Sequence, residues 1–379
     1  MRAAVWRGGR GSRPLSRGGP VEPAVPDAAP VAEVVPAERM REFPRVISLQ
    51  GYISEDPPTT SAFVAAQEES LRRLGVEVLP FFVQGRRIWK YPQSVGSFRR
   101  FVRASKADLV HAHFSYNGAI ALCQRSVPVV MSLTGGDVHV SQYTDAGAPI
   151  QAAFTYVLTQ ATALIADQVI VKSDVMRSAV WRRDSVHVLP NGVDLAMFKP
   201  LPRAEARQRL ELSEEKRYVL FPSWPSRPEK DYPLAVAAFS VAAAGRSDME
   251  LLVLDGVPHS DVPLYLNAVD ALLFTSKSEG SPNAIKEAMA CNLPIVSVNV
   301  GDVASVVEGT AQCVAISGRS PEVLGSRLRE ILDRGVRSNG RERALRYDST
   351  LVAHQLLSIY RAAIDGRRGV KGRAGTEII

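Results

Sequence analysis

Residues 278–297, SEGSPNAIKEAMACNLPIVS, contain a turn, a helix pattern and the start of a strand in direct succession. Ser281 is a favourable helix N-cap, and Pro282 suits the first helical position because no backbone donor is lost there. Asn292 is able to end the helix in a left-handed conformation, and LPIVSV is typical of a strand. The helical face is marked by Ala284, Ile285, Ala288 and Met289. The stretch therefore predicts one helix-to-strand unit of an α/β sheet.

Two glutamates flank the start of this helix. Glu279 precedes the Gly-Ser-Pro turn, and Glu287 shares a polar stripe with Asn283, four residues before it. The free N–H groups of Ser281 and Asn283 attract phosphate or another anion, while carboxylates accept hydrogen bonds from hydroxyls. Hydroxyls and phosphate together indicate a sugar nucleotide. A capping acid beside a solvated acid is the alternative interpretation.

The composition indicates an ordinary globular protein. The chain has 379 residues, 46% hydrophobic and 22% charged, which is enough for two domains with separate cores. No apolar stretch reaches the length of a membrane span, and no continuous apolar segment follows the basic N-terminus as in a secretory signal. The three cysteines are too widely spaced for a disulfide framework or a metal site. We therefore predict a cytoplasmic protein.

The positive charge of the chain lies in its two ends. The net charge is +7, residues 1–20 carry five arginines and no acid, and residues 366–379 contribute +3, so the remaining body is at −1. Nucleic-acid binding needs a basic stripe on the fold itself, so the distribution argues against it. It leaves open a weak peripheral contact of the tails with anionic membrane, at its inner face.

Short apolar runs alternate with helix-like stretches from Arg45 onward. Six runs, from RVISLQG to VHVLPNG, come first, and five more, from YVLFPS to QCVAI, begin at Tyr218. This alternation is typical of parallel sheets covered on both faces, so we predict an α/β fold with two doubly wound Rossmann-like domains. The predicted segments are a disordered basic tail (1–43), a first domain (44–197), a second domain (198–350), a C-terminal helix (351–366) and a basic tail (367–379).

Polar segments follow five of the predicted strands. They are TGGD, PNGVD, SWPSRPEK, DGVPH and SEGSPN. Ligands of such sheets bind at the carboxyl ends of the strands, so we expect these loops to face one cleft. Arg227 and Lys230 suit a diphosphate, which arginine binds with two hydrogen bonds and lysine as a point charge. With the helix start at 281–283 they predict a pyrophosphate clamp, and an exposed basic turn is the alternative.

Three motifs resemble those of the family 4 retaining glycosyltransferases, of glycosyl transferases group 1 type and GT-B fold. EGSPNAIKEAMACNLPIV carries the two-glutamate motif, VLPNGVDLAMFKP at 188–200 is similar to the interdomain signature, and SRPEKDYPLAV stands at the place of the Arg/Lys pair. The resemblance covers about residues 45–365. It implies GT-B architecture, in which the two domains face a central cleft.

The resemblance also implies roles for matching residues. Arg227 and Lys230 would hold the diphosphate of the donor. Glu287 would bind the ribose hydroxyls, and Glu279 would contact the transferred sugar. The other donor-side candidates are Gly280, Ser281, Pro282 and Asn283, around the sugar and phosphate, and Asp255 and Gly256, near the base.

The acceptor side departs from the family pattern. The family's HG-[ST]-D loop corresponds here to SLTGGDV, so a threonine replaces the usual histidine. Two other histidines, His111 and His113, lie one strand earlier, and we expect at most one of them to face the cleft and both to be structural. The acceptor-side candidates are Thr134, Gly135, Gly136 and Asp137.

The implied function is transfer of a sugar from a nucleotide-diphosphate sugar to a glycan or lipid-linked acceptor, with retention, in the assembly of cell-surface polysaccharide or glycoconjugate. We expect no cofactor and no metal, because Arg227 and Lys230 replace a divalent ion and no Asp-x-Asp motif lies near them. The alternatives are a nucleotide-sugar epimerase, a phosphorylase and an inactive family-like subunit. A dinucleotide oxidoreductase is disfavoured because no G-x-G-x-x-G follows the first strand.

Overall fold

The computed structural model describes residues 43–374, apart from 52–53, 56–57, 60, 86–88 and 139–146. The predicted N-terminal tail lies outside the described residues except for Phe43, so its predicted disorder stays a prediction. The described chain from Pro44 onward belongs to one compact unit that contains two parallel sheets.

The first sheet has six parallel strands in the order β4-β1-β5-β6-β7-β8. They are β1 (Arg45–Gly51), β4 (Glu77–Val83), β5 (Leu109–His113), β6 (Val129–Ser132), β7 (Gln168–Val171) and β8 (Val186–Val188). The short strands β2 (Ser54–Glu55) and β3 (Pro58–Thr59) pair with each other in antiparallel fashion. All six strands predicted from the apolar runs are confirmed.

The second sheet has five parallel strands in the order β10-β9-β11-β12-β13. They are β9 (Arg217–Phe221), β10 (Met249–Val253), β11 (Ala271–Phe274), β12 (Ile295–Val298) and β13 (Cys313–Ile316). The central strands β11 and β12 are buried along their whole length, as parallel strands covered by helices on both faces must be. All five predicted strands are again confirmed.

Helices connect the strands in both halves. In the first half they are α1 (Ala62–Arg73), α2 (Lys90–Ser105), α3 (Ser115–Ala121), α4 (Pro149–Ile165) and α5 (Asp174–Ala179). In the second half they are α6 (Arg203–Arg209), α7 (Tyr232–Ala242), α8 (Val262–Ala268), α9 (Asn283–Ala290), α10 (Val303–Val307), α11 (Pro321–Arg334) and α12 (Gly340–Ala344). None of the helices in the described part of the chain is long and apolar enough to cross a membrane.

The last helix, α13, spans Ser349–Ala374 and extends beyond its predicted end at residue 366. The reason is a tertiary contact: Arg367, which we assigned to a basic tail, forms an ion pair with Asp167 at 2.9 Å (Nε to Oδ1). Tyr360 of the same helix is fully buried against the first sheet, where its hydroxyl lies 2.7 Å from His111 Nδ1. The helix thus packs on the first half of the molecule.

Candidate donor and acceptor sites

The loop between β11 and α9 carries Glu279 and leads into the helix predicted first. α9 begins at Asn283, one residue later than predicted, because Pro282 is extended (ψ 124°) and itself occupies the N-cap. Ser281 does not cap the helix, and its hydroxyl accepts a hydrogen bond from the Nζ of buried Lys286 at 3.2 Å. The end of the helix is as predicted, with Asn292 in the left-handed region (φ 55°).

Lys230 and Glu279 form the shortest ion pair of this loop region. Lys230 ends a short 3-10 turn, Pro228–Lys230, that follows β9, and its Nζ lies 2.5 Å from Glu279 Oε1. Both side chains are mostly buried, with 18% and 16% of their surface exposed. The exits of two neighbouring strands, β9 and β11, bring the two residues together. A cation and a carboxylate predicted for one donor site are therefore in direct contact.

Arg227 lies further out than the predicted clamp requires. Its Nη2 contacts Glu229 Oε1 at 2.6 Å, and its side chain is 53% exposed. Lys230 is thus largely buried within the loop. Arg227 lies at the exposed edge of the same loop, where it pairs with Glu229. The role of both residues in diphosphate binding stays a prediction.

Arg319, which follows β13, ties the two donor loops together. It donates to Asp231 Oδ2 at 2.7 Å and to the carbonyl oxygens of Thr275 and Ser276 at 2.5 and 3.0 Å. Thr275 in turn donates through Oγ1 to the carbonyl of Lys230 at 3.0 Å. We did not single out Arg319, although an arginine soon after a predicted strand is the same signal that pointed to Arg227.

Glu287 faces a histidine that the sequence analysis did not select. His259 Nε2 lies 3.1 Å from Glu287 Oε1, and this hydrogen bond raises the pKa of His259 above 6.5.

Asp255 and Gly256 are exposed and follow the edge strand β10, a few residues before His259. The segment DGVPH that contains all three was expected at the cleft. Asn283, on the same stripe as Glu287, has a buried Oδ1 without a hydrogen-bond partner among the described residues.

The predicted acceptor loop touches the donor loop through glycines. Gly135 has φ +114°, and a methyl group added there would lie 3.0 Å from Gly280 N. Gly301, after β12, has φ +59°, and a methyl group there would lie 2.8 Å from Gly280 O. Only glycine permits both the backbone conformation and the close approach. TGGD and SEGSPN therefore meet at one place, as predicted for loops that face one cleft.

Asp137 holds the acceptor loop in shape. Its Oδ1 accepts hydrogen bonds from the N–H groups of Thr134 and Gly135 at 2.9 and 3.1 Å. The carboxyl group is fully buried, which raises its pKa to about 6 although these hydrogen bonds oppose the change. Its other oxygen, Oδ2, has no hydrogen-bond partner among the described residues. Asp137 therefore positions Thr134, which is half-buried, rather than facing solvent itself.

His111 and His113 lie on the same face of β5, and the expectation that at most one of them faces the cleft stays a prediction. Their rings lie 4.2 Å apart, because residues two positions apart on a strand share a face. His111 is fixed between Ser132 Oγ and Tyr360 Oη, both at 2.7 Å. Burial lowers the pKa of His113 to about 3, with a further contribution from Lys172. Both rings are buried, and His111 has a structural role.

Two buried lysines were missed entirely. Lys172 follows β7 and Lys286 lies on α9, and they are 3% and 0% exposed. Burial lowers their pKa values to about 7 and about 8, and the charge of Lys286 contributes to the shift of Lys172. Lys286 also donates to the carbonyl of Asn191 at 2.9 Å, which joins α9 to the interdomain segment. The sequence signal that could have identified them is a lysine directly after a predicted buried strand, for Lys172, or beside an apolar helix face, for Lys286.

The geometry combines cations, carboxylates and free amides at adjoining strand ends. The first turn of α9 presents backbone N–H groups, Lys230 adds a positive charge beside them, and Glu279 and Glu287 offer acceptors for hydroxyls. Within the described residues, no group of three or more His, Cys, Asp or Glu side chains is arranged to hold a metal ion. Such a site is suited to a ligand that has both phosphates and sugar hydroxyls.

Comparison with known proteins places the fold among the GT-B glycosyltransferases. A sucrose-phosphate synthase from Thermosynechococcus elongatus superposes with a TM-score of 0.70 at 18% identity, over 84% of this chain and 98% of that one. The Anabaena protein Alr3699/HepE, solved with UDP-glucose, superposes with a TM-score of 0.58 at 14% identity, over 87% of this chain and 100% of that one.

Family models match both halves of the chain. Residues 54–197 match Glycosyltransferase Family 4, and residues 234–334 match Glycosyl transferases group 1. The two matches together span well over half of the sequence, and the chain belongs to this family of glycosyltransferases.

Curated relatives agree with this placement. The chain is 28% identical to TuaC of Bacillus subtilis, named as a teichuronic acid biosynthesis glycosyltransferase, over 58% of this chain and 60% of that protein. It is 27% identical to a D-inositol 3-phosphate glycosyltransferase of Catenulispora acidiphila, over 69% of this chain and 74% of that protein. The matched region thus spans less than two thirds of TuaC, and these names describe the relatives alone.

Proposed function

We propose that the protein transfers a sugar from a nucleotide-diphosphate sugar to an acceptor hydroxyl, with retention at the anomeric carbon. The observation that carries the proposal is the contact of Lys230 with Glu279 beside the first turn of α9, against the loop that contains Gly135. One ligand placed there meets a cation, free amides and a carboxylate at once. A nucleotide sugar carries both the diphosphate and the hydroxyls that such groups bind.

The proposed roles are those that the family resemblance implies for each residue. Lys230, with Arg227 at the rim, binds the diphosphate, whose negative charge grows as the glycosidic bond breaks. Glu287 accepts hydrogen bonds from the ribose, while Glu279 accepts them from the transferred sugar. Asp255 and Gly256 lie toward the base. Gly280, Ser281, Pro282 and Asn283 shape the pocket around the sugar and the phosphates.

The proposed chemistry uses neither a metal ion nor a cofactor. A fixed cation such as Lys230 stabilises the leaving diphosphate electrostatically, which is the main task of a divalent ion in such reactions. The retained configuration would come from attack on the same face that the diphosphate leaves, with a departing phosphate oxygen accepting the proton of the acceptor hydroxyl. Thr134 to Asp137 would contact the acceptor.

The proposed setting is assembly of a cell-surface polysaccharide or glycoconjugate on a glycan or lipid-linked acceptor. The support is the similarity to TuaC and to the inositol phosphate glycosyltransferases. The Anabaena neighbour was solved with UDP and with UDP-glucose, so uridine nucleotide sugars are the first donors to test.

A thermal-shift screen of nucleotide sugars tests the proposal. We expect one donor series to raise the melting temperature, since a ligand at 100 times its Kd stabilises by about 2.7 kcal/mol. The positive donor then enters a turnover assay with and without EDTA, in which the anomeric configuration of the product is read by NMR. No stabilisation by any nucleotide sugar would refute the transferase proposal, inversion would refute retention, and loss of turnover with EDTA that magnesium restores would refute metal independence.

A further inference from the structure

The outer face of α4 is apolar and exposed. The helix Pro149–Ile165 has no charged residue along its 17 residues. Five large apolar side chains recur at helical spacing and are between 50% and 85% exposed: Ile150, Phe154, Val157, Leu164 and Ile165. We call these five residues the α4 stripe. A continuous apolar stripe on the outside of a domain is typical of a surface that binds a partner.

The inner face of the same helix is polar, which inverts the usual pattern of a surface helix. Thr155, Thr159 and Thr162 are buried and satisfy their hydroxyls by hydrogen bonds, as with Thr159 Oγ1 to the carbonyl of Asp137 at 2.9 Å. Gln160 is also buried and donates to the carbonyl of Ala179 at 3.0 Å. The five residues of the α4 stripe therefore lie outside the core, which α4 contacts through these polar side chains and the small residues Ala152 and Ala163.

Aromatic side chains extend the stripe toward α5. Trp181, which follows that helix, is 56% exposed, and its Nε1 donates to Tyr156 Oη at 3.0 Å. Its backbone N–H donates to Gln160 Oε1 at 2.8 Å, which fixes the indole beside α4. A tryptophan and a tyrosine that are apolar at one end and hydrogen-bonded at the other are the pair enriched where protein meets the lipid headgroups.

A basic helix lies in the same layer as α4. Residues 78–107 contain no Asp or Glu, and α2 places Arg99, Arg100 and Arg103 on its exposed side. The crossovers β4 to β5 and β6 to β7 run in the same direction along the sheet, so right-handed connections put α2 and α4 on the same face. Helix α3 lies between them and packs against both.

We propose that this face, the α4 stripe together with the arginines of α2, docks on the surface of an anionic lipid bilayer. The apolar side chains would enter the headgroup region, Trp181 and Tyr156 would lie at its boundary, and the arginines would meet the anionic headgroups. A second copy of the chain fits less well, because a two-fold contact through this face would bring two basic helices to the same interface. The proposal does not depend on the transferase activity.

Co-sedimentation of the full chain with vesicles tests the apolar part. The vesicles are phosphatidylcholine alone, or phosphatidylcholine with phosphatidylglycerol. The variant Phe154→Ser/Val157→Ser removes two residues of the stripe, and Val336→Ser/Leu345→Ser is the control, since these two residues are equally exposed in the other half of the molecule. We expect roughly tenfold or greater loss of vesicle binding for the first variant and none for the control.

The charged part has its own pair of variants. Arg99→Gln/Arg100→Gln/Arg103→Gln should lower partition onto anionic vesicles by roughly a hundredfold and leave binding to neutral vesicles unchanged. The control Arg327→Gln/Arg334→Gln removes exposed arginines of α11 and should have no such effect.

Three results would overturn the proposal. One is that the parent chain fails to sediment with anionic vesicles at low salt. Another is that each variant binds vesicles like its control. The third is that the parent is a dimer in solution and Phe154→Ser/Val157→Ser is a monomer, which would assign the stripe to a second copy.

Discussion

The charged groups at the carboxyl edges of the two sheets differ in how deeply they are buried. On the second sheet two ion pairs keep some contact with solvent, Lys230 with Glu279 and Glu287 with His259, while Lys286 on α9 is buried. On the first sheet Asp137 and Lys172 are buried, and burial raises the pKa of Asp137 to about 6. A partly hydrated pair can exchange its partner for a ligand at modest cost, whereas a buried group is fixed by the fold. The edge of the second sheet therefore suits its proposed role in donor recognition, whereas Asp137 at the edge of the first sheet holds a loop in shape.

The largest expected effect is at Lys230. Because it supplies fixed charge to the leaving diphosphate, Lys230→Ala should lower kcat/KM by about 100- to 1000-fold. It should also weaken binding of the nucleoside diphosphate far more than binding of the nucleoside, measured by calorimetry. Lys216→Ala removes a lysine from another ion pair, with Glu250 at 2.8 Å, and should leave both unchanged. Equal loss for nucleoside and diphosphate would contradict the assignment.

The two glutamates should separate binding from catalysis. Glu279→Gln should mainly lower kcat, since a contact near the anomeric centre strengthens as charge develops there, whereas Glu287→Gln should mainly raise the donor KM. Each change should cost about 1.5–3 kcal/mol if one hydrogen bond to a charged group is lost. Steady-state kinetics of both variants on one donor and acceptor decide the matter. The division of roles fails if Glu279→Gln alters KM alone.

Contact between the two edges is tested by glycine substitutions. Gly135→Ala puts a methyl group 3.0 Å from Gly280 N at φ +114°, while Gly147 also has a positive φ (+74°) but nothing within 4 Å. We expect Gly135→Ala to lower the free energy of unfolding by about 1–3 kcal/mol more than Gly147→Ala, and to raise the donor KM. Equal effects in chemical denaturation would mean that the loops are not in contact.

The smallest expected effect is a pH dependence at His259. Its pKa is raised above 6.5 by Glu287, so the protonated ring stabilises the fold below that value, and the contribution is lost as pH rises through the raised pKa. Because His259 is 40% exposed, the contribution should stay below about 1 kcal/mol.

The measurement is the difference in the free energy of unfolding between the parent and His259→Gln, followed from acid to alkaline pH. The difference should favour the parent at low pH and shrink toward zero at high pH. A constant difference would show that the histidine does not titrate against Glu287.

The placement of Glu279 and Lys230 in loops after strands could be predicted, while their roles in donor binding stay predictions. Glu279 stands at the exit of β11 and Lys230 soon after β9, and apolar runs predict strand ends well. Arg319 and His259 were missed because each contacts the site from another strand exit, and nothing in their own segments shows which neighbour they meet. The N-cap was misplaced by one residue because Pro282 is extended (ψ 124°) and occupies that position.

The sequence by itself determined the alternation of eleven main-sheet strands with helices, and with it the loops that carry the polar residues. That information is local, because the spacing of apolar side chains within a segment predicts whether the segment forms a strand or a helix. Only the tertiary structure decided that Lys230, rather than Arg227, contacts Glu279, that His111 and His113 are both enclosed, and that α4 turns its apolar side outward. Those outcomes depend on which strands are neighbours and which helix packs on them, and strand order is set by contacts between residues far apart in the chain.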